Sequence, residues 1–126
     1  MRDLETEIIA WFVAKCEVTA PAIVQQLKDA SILKREFTSG AGAFLTLKPS
    51  ASASQQKGSS LFAIDGPEVR SPEMSDGALV TLHVKQGVVS SFEIWSYAGD
   101  YPHNQHPKEF SLVESKMNYV GLHGEP

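Results

Sequence analysis

Residues 77–97 read GALVTLHVKQGVVSSFEIWSY, and no other stretch constrains the fold as much. Residues 78–84 and 88–97 are dense in Val, Leu, Phe, Ile, Trp and Thr, with Lys85-Gln86-Gly87 between them. β-branched and aromatic runs around a short glycine-containing linker predict a β-hairpin. Side chains alternate between the two faces of a strand, so the register decides which residues share a core. A two-residue Gln86-Gly87 loop pairs Leu82 with Ser91 and Val80 with Glu93, mixing apolar and polar residues. A three-residue loop pairs Val84 with Val88, Val80 with Phe92 and Ala78 with Ile94, and puts Gly87 where a left-handed residue is needed. The three-residue register is therefore expected. It gathers Ala78, Val80, Leu82, Val84, Val88, Phe92 and Ile94 on a core face interrupted by Ser90. The opposite face, with Leu79, Thr81, His83, Lys85, Val89, Ser91, Glu93, Trp95 and Tyr97, is amphipathic. Either further chain covers it or it is a contact surface.

The rest of the chain reads as cover for this hairpin. Residues 3–16 place Leu4, Ile8, Trp11, Phe12 and Cys16 on one stripe at helical spacing, with Asp3 as cap and Glu5 and Glu7 in the first turn. Thr19-Ala20-Pro21 opens a second helix, with Thr19 as its cap and Ile23, Val24 and Leu27 as its apolar stripe, fading near Ala30. Residues 32–38 and 43–48 are strand-like, and Thr38-Ser39-Gly40-Ala41-Gly42 between them predicts a second hairpin. No helix terminus follows that glycine turn and no Lys-Ser/Thr pair, so it does not read as a phosphate loop. Residues 49–60, PSASASQQKGSS, have no apolar anchor and are expected to form a flexible surface loop. Residues 61–64 read as an edge strand, Asp65-Gly66-Pro67 as a turn, and 68–70 and 109–113 as short strands. The tail from Tyr119 reads as frayed. The whole predicts a single α+β domain over residues 1–126: two N-terminal helices packed on an antiparallel sheet of about four to six strands.

Length and charge limit the function. The chain has 126 residues, enough to bury a core without staples, and a net charge of −4, which argues against a nucleic-acid partner. Cys16 is the single cysteine, so the fold needs no oxidising compartment, and its place on the helix stripe reads as a small buried apolar residue. No apolar run approaches the roughly 20 residues of a membrane span, and Asp3, Glu5 and Glu7 follow Met1-Arg2 without a signal-peptide pattern. A cytoplasmic location is expected.

Chemistry-bearing residues are sparse. His103 and His106 are three apart near Asp100, a spacing that binds zinc only with two further ligands, and no partner pair such as Cys-x-x-Cys exists. No metal or other cofactor is assigned. Glu93 and His83 share the second face of the hairpin and could exchange protons. A carboxylate on that face needs a partner, and a pair with Arg35, through its bidentate fork, is predicted; in the competing reading Arg35 points to water and Glu93 takes Lys34 or backbone donors. No Gly-x-Ser-x-Gly elbow, dinucleotide fingerprint or P-loop occurs.

Two segments carry a resemblance. Arg35-Glu36-Phe37-Thr38 followed by Ser39-Gly40-Ala41-Gly42-Ala43-Phe44, and later Phe92-Glu93-Ile94-Trp95-Ser96-Tyr97-Ala98-Gly99-Asp100-Tyr101-Pro102, together resemble a group of small bacterial proteins. That group has an Arg-Glu-(Phe/Tyr)-Thr-Gly-x-Gly-Phe element and a Leu-Glu-x-(Tyr/Trp)-Ser/Thr-Tyr-x-Gly element ending in Pro. Here the glycine turn holds an extra residue and Phe92 replaces the Leu. The group has no assigned activity, and its size is similar to that of small α+β immunity and accessory proteins. The leading expectation is a non-enzymatic binding protein, immunity-like or homodimeric, using Arg35, Glu93, Trp95, Tyr97, Asp100 and His103. The alternative is a small-molecule or metal-assisted enzyme built on Glu93, His83 and the 100–106 loop.

Overall fold

The computed structural model of the protein describes residues 3–48 and 61–115. The expected loop at 49–60 and the tail from Tyr119 lie outside the described residues. Helix α1 (Leu4–Cys16) starts where Asp3 accepts the Thr6 backbone N–H at 3.2 Å, and it buries Leu4, Ile8, Phe12 and Cys16 along one face. Helix α2 (Pro21–Asp29) buries Ile23, Val24, Gln26 and Leu27. Thr19 is not its cap. Ala20 holds that position without a side-chain bond, and its carbonyl accepts the Ile23 and Val24 N–H groups at 3.0 and 3.2 Å. Pro21 has no N–H to leave unsatisfied in the first turn, so the helix can start without a polar cap.

Six strands follow: β1 (Ser31–Phe37), β2 (Gly42–Lys48), β3 (Leu61–Arg70), β4 (Ala78–Lys85), β5 (Val88–Ser96) and β6 (Ser111–Val113). They form one antiparallel sheet in the order β1-β2-β5-β4-β3-β6. The two helices pack on one of its faces, so the architecture is α+β. Ala43, Leu45 and Leu47 of β2, Ala78, Val80, Leu82 and Val84 of β4, and Phe92 and Ile94 of β5 share the core with α1 and α2. The Phe12 and Phe92 ring centroids are 5.3 Å apart. Gly66 makes room for this seat, because a Cβ there would lie 2.3 Å from the Phe12 ring. The buried Gln26 amide ties α2 to the central hairpin, donating to the Gly87 carbonyl at 2.8 Å and accepting from the Val89 N–H at 2.7 Å. Both ends of this side chain are satisfied, so its burial does not leave a desolvated polar group behind. The Cys16 thiol is buried, and burial pushes its pKa up.

The central hairpin corrects the expected register. Its loop has two residues, with Lys85 facing Val88 and both Gln86 (φ 54°) and Gly87 (φ 79°) left-handed. That is the turn whose twist matches the strands it joins. The rejected two-residue register assumed an unbroken ladder. Here the ladder shifts between His83 and Val84, so Val84 faces Val89 while His83 faces Ser91, leaving Ser90 as the extra residue. Beyond the bulge Leu82 faces Phe92 and Val80 faces Ile94. The faces come out as expected except that Val89, not Val88, is in the core, and Ser90 leaves the core face for the open one.

Strand β3 is a second correction. Asp65-Gly66-Pro67 does not turn the chain; residues 61–70 form one strand with an irregularity between Asp65 and Glu68. A bulge tolerates a proline because the ladder bond it cannot donate is already interrupted. Residues 61–64 pair with β4 alone among the described residues, as expected of an edge, while β6 pairs with Glu68, Val69 and Arg70 farther along the strand.

Candidate functional site on the open sheet face

The sheet face turned away from α1 and α2 is ordered in cross-strand rows. One row runs Gly42, Trp95, Leu79, Glu68, Val113, and the next runs Glu36, Phe44, Glu93, Thr81, Asp65. Trp95 is 56% exposed, Phe44 and Tyr97 are exposed near it, and Val113 is exposed at the far end of its row. Gly42 (φ 150°) is held bare next to Trp95, because a Cβ there would fall 1.7 Å from the Ile94 carbonyl oxygen. The aromatic band therefore borders a bare backbone position at Gly42 and has carboxylates in the neighbouring row.

Two polar clusters sit in this face. His83 Nε2 lies 3.0 Å from Glu93 Oε1, and both side chains are part-exposed. The bulge at Ser90 makes them diagonal neighbours across β4 and β5, a contact that an unbroken three-residue register would not make. They border a shallow depression of about 340 Å³ that also takes in Phe44, Lys85 and Ser91. At the other end, the Tyr97 hydroxyl donates to Glu68 Oε2 at 3.1 Å while Arg70 holds Glu68 Oε1. Burial and then the Glu68 charge push the Tyr97 phenol up to about 12. Glu68 is buried on both counts, satisfied by a hydroxyl and a guanidinium.

The expected Arg35–Glu93 pair does not form. Arg35 faces Leu45 across β1 and β2, which puts its side chain on the helix side. There it makes two bonds to Glu5 of α1, at 2.7 and 2.8 Å. Lys34 is on the open face but lies 3.7 Å from Glu36. On the helix side, His106 bridges the Tyr101 hydroxyl (2.6 Å) and Glu5 (2.9 Å), with its ring edge against Phe37. Burial alone would raise the Glu5 carboxyl, but the hydrogen bonds from His106 and Arg35 outweigh it and hold it at about 2. Burial, followed by the Glu5 and Glu73 charges, pushes the Tyr101 phenol upward.

Of the six residues singled out from sequence, Glu93, Trp95 and Tyr97 share the open face. Arg35 belongs to the helix-side cluster. Asp100 closes a turn: it accepts from the Ser75 N–H (2.8 Å), the Ser75 hydroxyl (3.0 Å) and the Ser96 hydroxyl (3.1 Å), and these bonds hold its carboxyl below the usual range. His103 is exposed, while both ring nitrogens of His106 are committed. Among the described residues no three His, Cys, Asp or Glu side chains gather as a metal site. The 100–106 loop thus does not join His83 and Glu93. Phe44 and Glu68 belong to the face and were not singled out. The Phe at the end of the Arg-Glu-Phe-Thr segment was a signal for the first, and nothing in sequence marked the second.

No protein family, curated protein or solved structure matches this chain. Among the described residues no helix is long and apolar enough to cross a membrane.

Proposed function

We propose that this is a non-enzymatic binding protein whose open sheet face docks a protein partner. The observation that carries the reading is the exposed Trp95, with Phe44 and Tyr97, on a face that the helices leave uncovered. Exposed aromatic groups in one patch mark interaction surfaces, and Trp and Tyr concentrate binding energy when desolvated. Glu36, Glu93 and Asp65 flank the band, and the chain carries a net charge of −4. The partner that fits is a protein presenting arginine or lysine beside apolar groups, with a cation over the Trp95 ring. A cytoplasmic setting suits such a role.

The test is site-specific photo-crosslinking in the cells that make the protein. A crosslinker at Thr81, on the open face, should give one adduct of defined mass, and one at the 90% exposed Val18 should not. Trp95→Ala should abolish the adduct. Equal adducts from both positions, or none from Thr81, would remove the reading.

The 3.0 Å His83–Glu93 contact in its depression supports a second reading, a small-molecule site in which the pair moves a proton. It requires turnover that Glu93→Gln abolishes.

A further inference from the structure

The free edge of β1 offers a second surface, independent of the open face. Among the described residues β1 ends the sheet, with β2 on one side only. At seven residues it is more than twice as long as β6, the three-residue strand at the opposite edge. The backbone direction along this edge follows from the hairpin. The Thr38 N–H turns inward to the Gly42 carbonyl at 3.0 Å. Hydrogen-bonding direction alternates residue by residue along an antiparallel strand, so Phe37 and Arg35 turn their N–H and C=O groups outward. Lys34 and Glu36 turn theirs toward β2 and send their side chains to the open face.

We propose that β1 pairs with β1 of a second copy, antiparallel, about a two-fold axis through Arg35, so that two sheets become one. In this register the two Arg35 residues exchange both backbone hydrogen bonds, as only outward-facing residues can. Lys34 then stands opposite Glu36 of the second copy, and Glu36 opposite its Lys34, so the two-fold creates two complementary pairs in place of the 3.7 Å contact within one chain. Leu33, 65% exposed beside the irregularity between Ile32 and Lys34, comes opposite the half-buried Phe37 of the second copy. The two guanidiniums meet on the helix side, but each already holds its own Glu5 through two bonds, so the meeting is between neutralised pairs. An axis through Lys34 sets lysine against lysine, and one through Glu36 sets glutamate against glutamate. Edge charges normally repel foreign strands. Here they repel strands lacking the complementary order and accept a second copy of this chain. The axis stands perpendicular to the sheet, so both open faces lie on one side and stay accessible.

Sedimentation equilibrium over a concentration series tests this with charge reversals. Lys34→Glu sets Glu against Glu twice, and Glu36→Lys sets Lys against Lys twice. Each should weaken dimerisation by roughly tenfold, since two pairs turn from attraction to repulsion. Mixing the two variants should yield a heterodimer of near wild-type affinity, and the double variant should recover self-association. Trp95→Ala should leave all of this unchanged. A wild-type protein that stays monomeric at every concentration overturns the proposal, as does a dimer indifferent to the reversals. A dimer lost in Trp95→Ala but insensitive to charge overturns it too, by placing the contact on the sheet face.

Discussion

Replacing Glu5 by Gln keeps its shape and removes its charge from between Arg35 and His106. Folding lowers the Glu5 pKa from 4.5 to about 2. At about 1.4 kcal/mol per pKa unit the ionised carboxylate contributes about 3 kcal/mol at neutral pH. The Arg35 side chain is half exposed, so solvent screens part of this, and a loss of about 2 kcal/mol is the expected cost of Glu5→Gln at pH 7. The direction with pH is fixed by the sign of the shift. A carboxyl whose folded pKa lies below its unfolded value stabilises fully above the unfolded pKa, and the contribution disappears as pH falls from 4.5 toward 2. Urea unfolding of wild type and variant at pH 7 and about pH 3 reads the difference directly. It should fall by more than half at the lower pH. A difference below about 0.5 kcal/mol at pH 7, or one that does not change with pH, would refute the claim that Glu5 is held ionised by its two partners.

Phe92→Ala should cost about 3–5 kcal/mol in the same assay, because it opens a cavity against Phe12; a loss under about 1 kcal/mol would contradict its place in the core. A double-mutant cycle on His83 and Glu93 should give a coupling of about 1 kcal/mol or less, as both are part-exposed, while Arg35 and Glu93, on opposite faces, should show none. Deleting one of the two serines at 90 and 91 removes the extra residue and leaves every side chain on its present face. The variant should keep cooperative unfolding with a change of roughly 1 kcal/mol or less, and a molten variant would show the bulge to be required.

The periodicities that depend on apolar spacing were legible in the sequence. The stripe Leu4, Ile8, Phe12, Cys16 and the alternation from Ala78 to Ile94 gave the helix, the hairpin faces and the architecture. What stayed hidden was set by contacts between distant residues. One inserted residue, Ser90, reconciles a two-residue turn with a three-residue face pattern, and arithmetic on an unbroken ladder cannot find it. Pro67 is a turn signal by local chemistry, yet Asp65 before it and Glu68 after it both pair with β4 and carry the strand through. For the candidate site, the open face and its residues Glu93, Trp95 and Tyr97 followed from alternation. Arg35 was assigned to the wrong carboxylate because Glu5, in the first turn of α1, looked fully explained by the helix dipole. Its second role appears only once the fold brings the start of α1 within reach of the Arg35 side chain.

The Glu5–His106 contact joins residues 101 positions apart. A nascent chain made at about 5–20 residues per second exposes Glu5 for several seconds before His106 has been added. During that interval α1 has its cap and its apolar stripe but not the residue that closes over its first turn. β5 ends at Ser96, ten positions before His106, so at that point the β4–β5 hairpin is still within the ribosome and α1 has no sheet to settle on. A ribosome pausing near residue 106 would lengthen the time in which Phe12 and Ile8 are open to a chaperone.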